Sequence, residues 1–357
     1  MNQKKVLIWS KSISDLMNGN AYGIAVQLFF WAQTFANHGW QVTTFTPHKS
    51  FIKEGIRFKH TSRWGKLEIV HEWLSILWNL IASRPQIVLH RGAGRVAYPL
   101  AVLSKICNVK FVQFGASDTD FEPGKELIAG GDHNRKLWQK ALRKAEFVIT
   151  QNTFQQDSLK LHYGKDSLIM FNIWGKPDSD GVKQFHATDV VWVANLRRLK
   201  RVEWILNAAK AMPDIQFTII GGPSGNEKEY YHTIEKEAKT IPNLHFLGKR
   251  TFQEANAIVA NSRLLCCTSE FEGFPNTFLQ AWACDVPVVS TVNPNNCITE
   301  LGLGKVISDV SQLRFAIDEL LNSDELYAQC QQNIRDYFAQ HHDADRAYQN
   351  VLDFIFD

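Results

Sequence analysis

Short apolar runs alternate with amphipathic stretches along nearly the whole chain. In the first half, VLIWS (6–10) predicts a strand and Tyr22 to His38 a helix. A strand at QVTTF (41–45) and a helix from Val70 to Ala82 follow. The series continues with QIVLH (86–90), a helix near Arg95–Cys107, VKFVQF (109–114), a helix over His133–Lys144 and EFVIT (146–150). The strand-type runs are mostly apolar, which marks strands buried on both faces. Strands separated by helices belong to parallel sheets.

The pattern restarts after about residue 172. DVVWVAN (189–195) precedes a helix over Val202–Ala211, and IQFTII (215–220) a helix over Glu227–Thr240. NLHFLG (243–248), a helix over Gln253–Asn261, RLLCCT (263–268), a helix after Pro275 and VPVVST (286–291) complete the set. Between the halves, NIWGKPDSDGVKQFHATD (172–189) has the Pro, Gly and Asp content of a linker. The expectation is therefore α/β: two doubly wound parallel-sheet, Rossmann-like domains, 1–172 and 173–342, facing each other across a cleft. The tail, HHDADRAYQNVLDFIFD, reads as helical, and a helix over about 343–357 packing back on the first domain is part of that expectation. Ligands of such sheets bind beyond the carboxyl ends of the strands.

Composition narrows the class. At 357 residues the chain exceeds one ordinary core, and 45% hydrophobic with 21% charged residues is globular. A formal charge of +3 gives no argument for nucleic acid as a partner. Six cysteines without a C-x-x-C predict reduced core residues, hence a cytoplasmic setting. The start, MNQKKVLIWS, carries no leader-type apolar run, and LSILWNLIA (74–82) is about half a membrane span.

The densest chemistry lies in SEFEGFPNTFLQAWACDVPVVST (269–291). Pro275 suits the first position of a helix, since its fixed φ fits and its missing N–H would be unpaired there. Gly273 permits close approach of backbone to a ligand. The free N–H groups of that first turn favour an anion, whereas Glu272 would repel phosphate and suits sugar hydroxyls. Gln280, two turns on, offers a donor and an acceptor of the kind ribose needs. The plain alternative is an acidic turn and an exposed Gln with no ligand.

In ANLRRLKR (194–201), Arg197, Arg198, Lys200 and Arg201 follow a strand and open a helix. Cations normally belong at helix C-termini, so this cluster opposes local preference and points to a diphosphate. A solvated helix start is the other reading. Gly19 and Gly23 lie in LMNGNAYGIAVQ (16–27), a loop after the first strand that lacks the G-x-G-x-x-G spacing; IIGGPSG (219–225) is a second glycine-rich turn. FGASDTDFEPG (114–124) contains the D-x-D of Asp118 and Asp120, but D-x-D recurs at Asp178–Asp180 and Asp343–Asp345, so metal binding does not follow. Finally, HKSFIKEGIRFKHTSRWGK (48–66) carries six Lys/Arg against Glu54 and leads into an amphipathic run with Trp73 and Trp78. Segment 48–82 thus fits peripheral contact with an anionic membrane, or else a solvated loop and a core helix.

These residues resemble a known family. SEFEGFPNTFLQAWACDVPVVST is similar to the donor-site signature of family-4 retaining glycosyltransferases of GT-B architecture. That signature reads Ser-x-x-Glu-Gly-Phe-Pro, has a second Glu eight positions after the first, and ends in Pro-Val-Val-Ala/Ser-Thr. VVWVANLRRLKRVEWILNAA is similar to that family's Gly-Arg-Leu-x-x-x-Lys-Gly segment, and LIMFNIW to its Val-Ile-x-Asn-Gly linker start. HRGAGR and FGASDTD resemble members that build bacterial surface polysaccharides such as lipopolysaccharide and capsule.

The resemblance implies an acceptor-side first domain, a donor-side second domain, and transfer of a sugar from a nucleoside diphosphate sugar, UDP by family habit. The acceptor would be a glycan or lipid-linked glycan. It implies Glu272 on the donor sugar, with Lys200 and Arg197 on the diphosphate. Gly19, Gly23, Asn195, Arg198, Gly273, Phe274, Pro275, Asn276 and Gln280 would line the nucleotide-sugar site. No metal or other cofactor is implied. Gln280 stands where the second Glu is usual and Asn195 where the Arg is usual, so the donor grip would be altered. A nucleotide-sugar-binding protein with little turnover and a sugar-nucleotide epimerase are the competing readings. The usual acceptor-side His has no clear counterpart; Ser117 or Asp118 would stand there.

Overall fold

The computed structural model describes residues 3–17, 23–61, 68–126, 128, 131–175, 188–224, 227–270, 272 and 274–357. The chain divides into two compact units, Met1–Ile173 with Asp343–Asp357, and Trp174–His342. Each is a parallel-sheet α/β domain, as the apolar runs require.

The first unit comprises β1 (Lys5–Ile8), α1 (Ser12–Met17), α2 (Gly23–Asn37), β2 (Gln41–Thr46), β3 (Phe51–Lys53), β4 (Ile56–His60), α3 (Glu68–Ser83), β5 (Ile87–Arg91), α4 (Ala97–Ile106), β6 (Lys110–Phe114), α5 (Gly131–Lys144), β7 (Phe147–Thr150), α6 (Thr153–Tyr163) and β8 (Leu168–Ile169). The strand order is β3-β4-β2-β1-β5-β6-β7-β8, parallel throughout except β3 against β4. The sheet therefore switches direction between β1 and β5. α2 is buried along most of its length, which explains why its sequence, GIAVQLFFWAQTFAN, shows no polar face.

The second unit comprises β9 (Thr188–Val193), α7 (Glu203–Ala211), β10 (Phe217–Ile220), α8 (Lys228–Ala238), β11 (Leu244–Gly248), α9 (Phe252–Ala260), β12 (Ser262–Cys267), α10 (Asn276–Trp282), β13 (Val288–Ser290), α11 (Cys297–Leu301), β14 (Gly304–Val306), α12 (Val310–Asn322) and α13 (Asp324–His341). Its order, β11-β10-β9-β12-β13-β14, is wholly parallel, with the switch between β9 and β12. Local signals set the helix ends. Thr251 and Glu254 form a reciprocal capping box on α9, and Asn152 caps α6, which ends on Gly164 at φ +64°.

The last helix, α14 (Ala344–Phe356), returns to the first unit. Trp40 Nε1 donates to Tyr348 Oη at 2.7 Å, and the Tyr348 ring packs edge-on against Phe35 and stacks on His38. The adjacent His341 and His342 close α13 instead.

Two sequence expectations change. Segment 48–66 is not all loop, because β4 joins the sheet beside β2 and β3 folds back on it. Pro275 is the residue before α10, with ψ +122°, so Asn276 takes the first helical position. That extended ψ turns the chain out of the preceding loop before the helix can begin.

Candidate functional site

In an open parallel sheet the ligand crevice lies where the strand order reverses, outside the carboxyl ends. In the second unit that point is the exit of β9 and β12, from which the loops Ala194–Arg201 and Thr268–Pro275 run. Both sequence-marked segments therefore fall at the switch point.

The two loops are sewn together. Lys200 Nζ forms a short ion pair with Glu272 Oε1, which also accepts from Ser269 Oγ at 3.1 Å. Thr268 Oγ1 donates to Lys200 O at 2.6 Å and accepts from Trp192 Nε1 at 3.1 Å. Glu270 N donates to Leu199 O at 2.8 Å. From the far side, Thr291 Oγ1 donates to Ser269 O at 2.5 Å. The Lys200 and Glu272 side chains keep 17% and 26% of their surface exposed, so both charges remain reachable by a ligand.

Arg201 supplies the rest of the seam. Its Nε donates to Thr268 O at 2.8 Å and its Nη2 to Ser269 O at 2.9 Å, while the guanidinium lies 4.4 Å from the Trp204 ring centre. It adopts φ +48°, a left-handed conformation that favours glycine. The similar family segment carries Gly at this place. In the sequence Arg201 is one more cation of the basic row, and the one signal of its separate role is a non-glycine residue where the similar segment has glycine.

The basic row does not act as one cluster. Lys200 and Arg201 turn toward Thr268–Glu272. Arg197 Nε donates instead to Ser224 Oγ at 2.9 Å, and the Arg198 backbone N–H donates to Glu227 Oε2 at 2.8 Å while its guanidinium sits over Tyr230. These two hold the β10–α8 connection, where Leu196 N also donates to Gly222 O at 2.9 Å. Asn195 is exposed between the two groups.

On α10, Gln280 is 5% exposed, not a surface amide, and no hydrogen bond holds it among the described residues. The Phe274 ring packs near Trp282 and His342, in an aromatic group with Tyr337 that fixes the turn before α10. Pro275 is buried and Asn276 partly so. Gly273 and Gly19 lie outside the described residues. Gly23 opens α2 at the first unit's own switch point, where Gly92, at φ +81°, leaves room for Ile24: a Cβ there would lie 3.1 Å from Ile24 Cδ1.

The Asp118–Asp120 pair serves the loop. Asp118 Oδ1 accepts from Asn152 Nδ2 and Gln155 Nε2, and Asp120 Oδ2 from the N–H groups of Ala116 and Ser117. Among the described residues no three His, Cys, Asp or Glu side chains converge as a metal site. Beside this loop, His90 is buried with Nδ1 2.9 Å from Gln113 Oε1; because Gln113 Nε2 donates to Phe114 O, that ring nitrogen is the donor. Burial pushes the His90 imidazole down to about 4. Arg91, also buried, donates to Asn172 Oδ1 at 2.6 Å, and burial lowers it to about 10 against the opposing pull of Asp120. All six cysteines are free.

Comparison with known proteins places this architecture. Residues 187–323 match the family profile described as Glycosyl transferases group 1. No curated protein sequence matches the chain. Among solved structures, the sucrose-phosphate synthase of Thermosynechococcus elongatus aligns with a TM-score of 0.74 at 15% identity, over 99% of this chain and 98% of that one. HepE of Anabaena, solved in complex with UDP-glucose, aligns with a TM-score of 0.71 at 15% identity, over 98% of each chain. WaaG, a glycosyltransferase involved in lipopolysaccharide biosynthesis, aligns at 0.66 and 15%, over 98% and 99%. The fold is that of the GT-B glycosyltransferases: two parallel-sheet α/β domains.

Proposed function

We propose that this protein is a retaining glycosyltransferase. It moves a sugar from a nucleoside diphosphate sugar, UDP-linked, to a hydroxyl of a glycan or lipid-linked glycan acceptor in surface polysaccharide synthesis, on the cytoplasmic side of the membrane. The observation that carries the reading is the meeting of Lys200 and Glu272 at the switch point of the second unit, inside the region matched by the Glycosyl transferases group 1 profile. UDP-glucose bound to a protein of the same fold supports the donor class.

A paired, partly exposed ammonium and carboxylate suit a donor that brings both an anion and hydroxyls. On binding, Lys200 exchanges Glu272 for the diphosphate, and Glu272 exchanges Lys200 for sugar hydroxyls. Neither charge is then left bare. As the anomeric C–O bond to phosphate breaks, Lys200 stabilises the charge developing on the departing diphosphate. The acceptor oxygen bonds the anomeric carbon on the same face, and its proton passes to a diphosphate oxygen. No protein base is assigned and no cofactor is invoked.

Asn195 and Gln280 favour a second reading, a nucleotide-sugar binder with little turnover. Thermal shift with UDP, GDP and ADP tests the site, because a ligand that binds only the folded state raises stability. UDP is expected to raise the melting temperature of the wild type and of Glu272→Ala alike. The sugar-bearing donor should then lose its extra shift in Glu272→Ala. No shift with any nucleotide at millimolar concentration refutes the donor site. A shift without transfer to any acceptor supports the binder, and conversion of the donor without an acceptor supports an epimerase.

A further inference from the structure

α3 covers one face of the first sheet but leaves much of its own apolar surface bare. Val70, Leu74, Trp78 and Ile81 are 56%, 61%, 65% and 55% exposed. At 3.6 residues per turn these four fall within roughly 80° of arc, while the buried Ile76 and Leu80 face the other way. Isolated exposed apolar residues are ordinary, but four on one stripe are not.

Cations flank the stripe. In the antiparallel β3–β4 pair, Ile52 lies opposite Arg57, so both point to the same side of the sheet. Lys59, two residues from Arg57, shares that side and donates to Asn79 Oδ1 of α3 at 2.7 Å, which makes it the side α3 covers. Ile52 is itself 69% exposed. Lys49, Arg57 and Arg84 are exposed and make no ion pair among the described residues, whereas Lys53 lies opposite the buried Ile56 and so points to the other side of the sheet. Of the nearby acids, Glu72 is paired with Arg95 Nε at 3.4 Å and Glu54 accepts from Gln33 at 2.8 Å.

We propose that the α3 stripe, with the basic β3–β4 hairpin beside it, is a docking surface for an anionic lipid bilayer. Val70, Leu74, Trp78 and Ile81 enter the boundary between headgroups and acyl chains. Arg57 and Arg84 meet lipid phosphates. An apolar face rimmed by unpaired cations suits a surface that is itself apolar beneath negative charge. An indole at that boundary keeps its ring in the apolar layer and its N–H near water. No described helix is long and apolar enough to cross a membrane, so the contact is peripheral. This inference stands apart from sugar transfer and is tested without an activity.

The test is co-sedimentation of the full chain with vesicles of phosphatidylcholine alone and of phosphatidylcholine mixed with phosphatidylglycerol. Binding to the mixed vesicles only is expected. It should weaken at least tenfold in Leu74→Ser/Trp78→Ser and in Arg57→Glu/Arg84→Glu. It should also weaken when salt rises from about 0.1 M to about 1 M, which shortens the screening length from roughly 10 Å to 3 Å. All substituted side chains are exposed, so unchanged melting temperatures serve as the folding control. No binding, binding indifferent to lipid charge, or binding untouched by the serine pair overturns the proposal. So does a dimer that those serines dissociate, which assigns the stripe to a second copy of the chain.

Discussion

Arg201 offers a sharp test of how the site loops are held. Truncation to Ala removes two guanidinium bonds to the carbonyls of Thr268 and Ser269 and the contact with Trp204. Hydrogen bonds from a charged group contribute about 1.5–3 kcal/mol each when buried. Discounted to about 1 kcal/mol each for a half-exposed residue, with roughly 0.5–1 kcal/mol for the ring contact, the loss is about 2.5 kcal/mol. Replacement by Gly loses the same contacts but relieves the left-handed backbone at φ +48°, worth about 1–2 kcal/mol. Freedom gained by the unfolded chain cancels about 0.4–1 kcal/mol of that. Arg201→Gly should therefore be more stable than Arg201→Ala by about 0.5–1 kcal/mol, yet less stable than the wild type. At about 2–4 °C per kcal/mol for a domain of this size, thermal melting resolves the order wild type, Gly, Ala. Equal melting of the Gly and Ala variants would refute the backbone argument. A Gly variant as stable as the wild type would show that the guanidinium clamp contributes nothing. Both variants should also bind UDP more weakly, because the carbonyls they release border Glu272.

Two further outcomes follow from burial and close contact. His90 titrates near 4 in the folded chain against 6.5 when exposed, so as pH falls the unfolded chain takes the proton first. Stability from this group is complete above pH 6.5 and is lost toward pH 4, by roughly 3 kcal/mol. Asp120, raised chiefly by burial, acts with the opposite sign in both proteins and cancels from a comparison with His90→Gln. The wild type should lose more stability than that variant over this range by chemical denaturation; parallel curves would count against a neutral buried imidazole. At Gly221, a Cβ would stand 1.8 Å from Ala194 O and 2.8 Å from Leu196 Cδ1, so Gly221→Ala must displace the exit of β9. It should cost about 3 kcal/mol on denaturation, and a cost below 1 kcal/mol would mean that exit is soft.

The parallel strands were legible because both their faces are buried: IVLHR in β5 and FTII in β10 are wholly buried, and the apolar run Ile87–Leu89 and the pair Ile219–Ile220 show no polar alternation. β4 escaped notice for the opposite reason. In IRFKH, buried Ile56 and Phe58 alternate with Arg57 and Lys59, and the cations drew the segment into a basic loop. At the site, an acidic residue before a Pro turn and a basic row at a strand end marked both loops. Their joining was hidden, since Lys200 and Glu272 lie 72 residues apart and only the switch between β9 and β12 brings them together. The division of the basic row was equally hidden, because it depends on where Ser224 and Glu227 stand after β10.

The return of α14 to the first unit bears on how the chain is made. Trp40 and Phe35 receive Tyr348 from a segment synthesised after the whole of the second unit. An emerging chain can complete Trp174–His342 while Met1–Ile173 still lacks the helix that covers α2. The second unit is an insertion in the first, and the first is the last to close. Loss of α14 by early termination or proteolysis would expose Phe35 on α2 and Trp40 in the turn before β2, leaving the sheet and the site loops of the second unit intact in sequence yet attached to an unfinished partner.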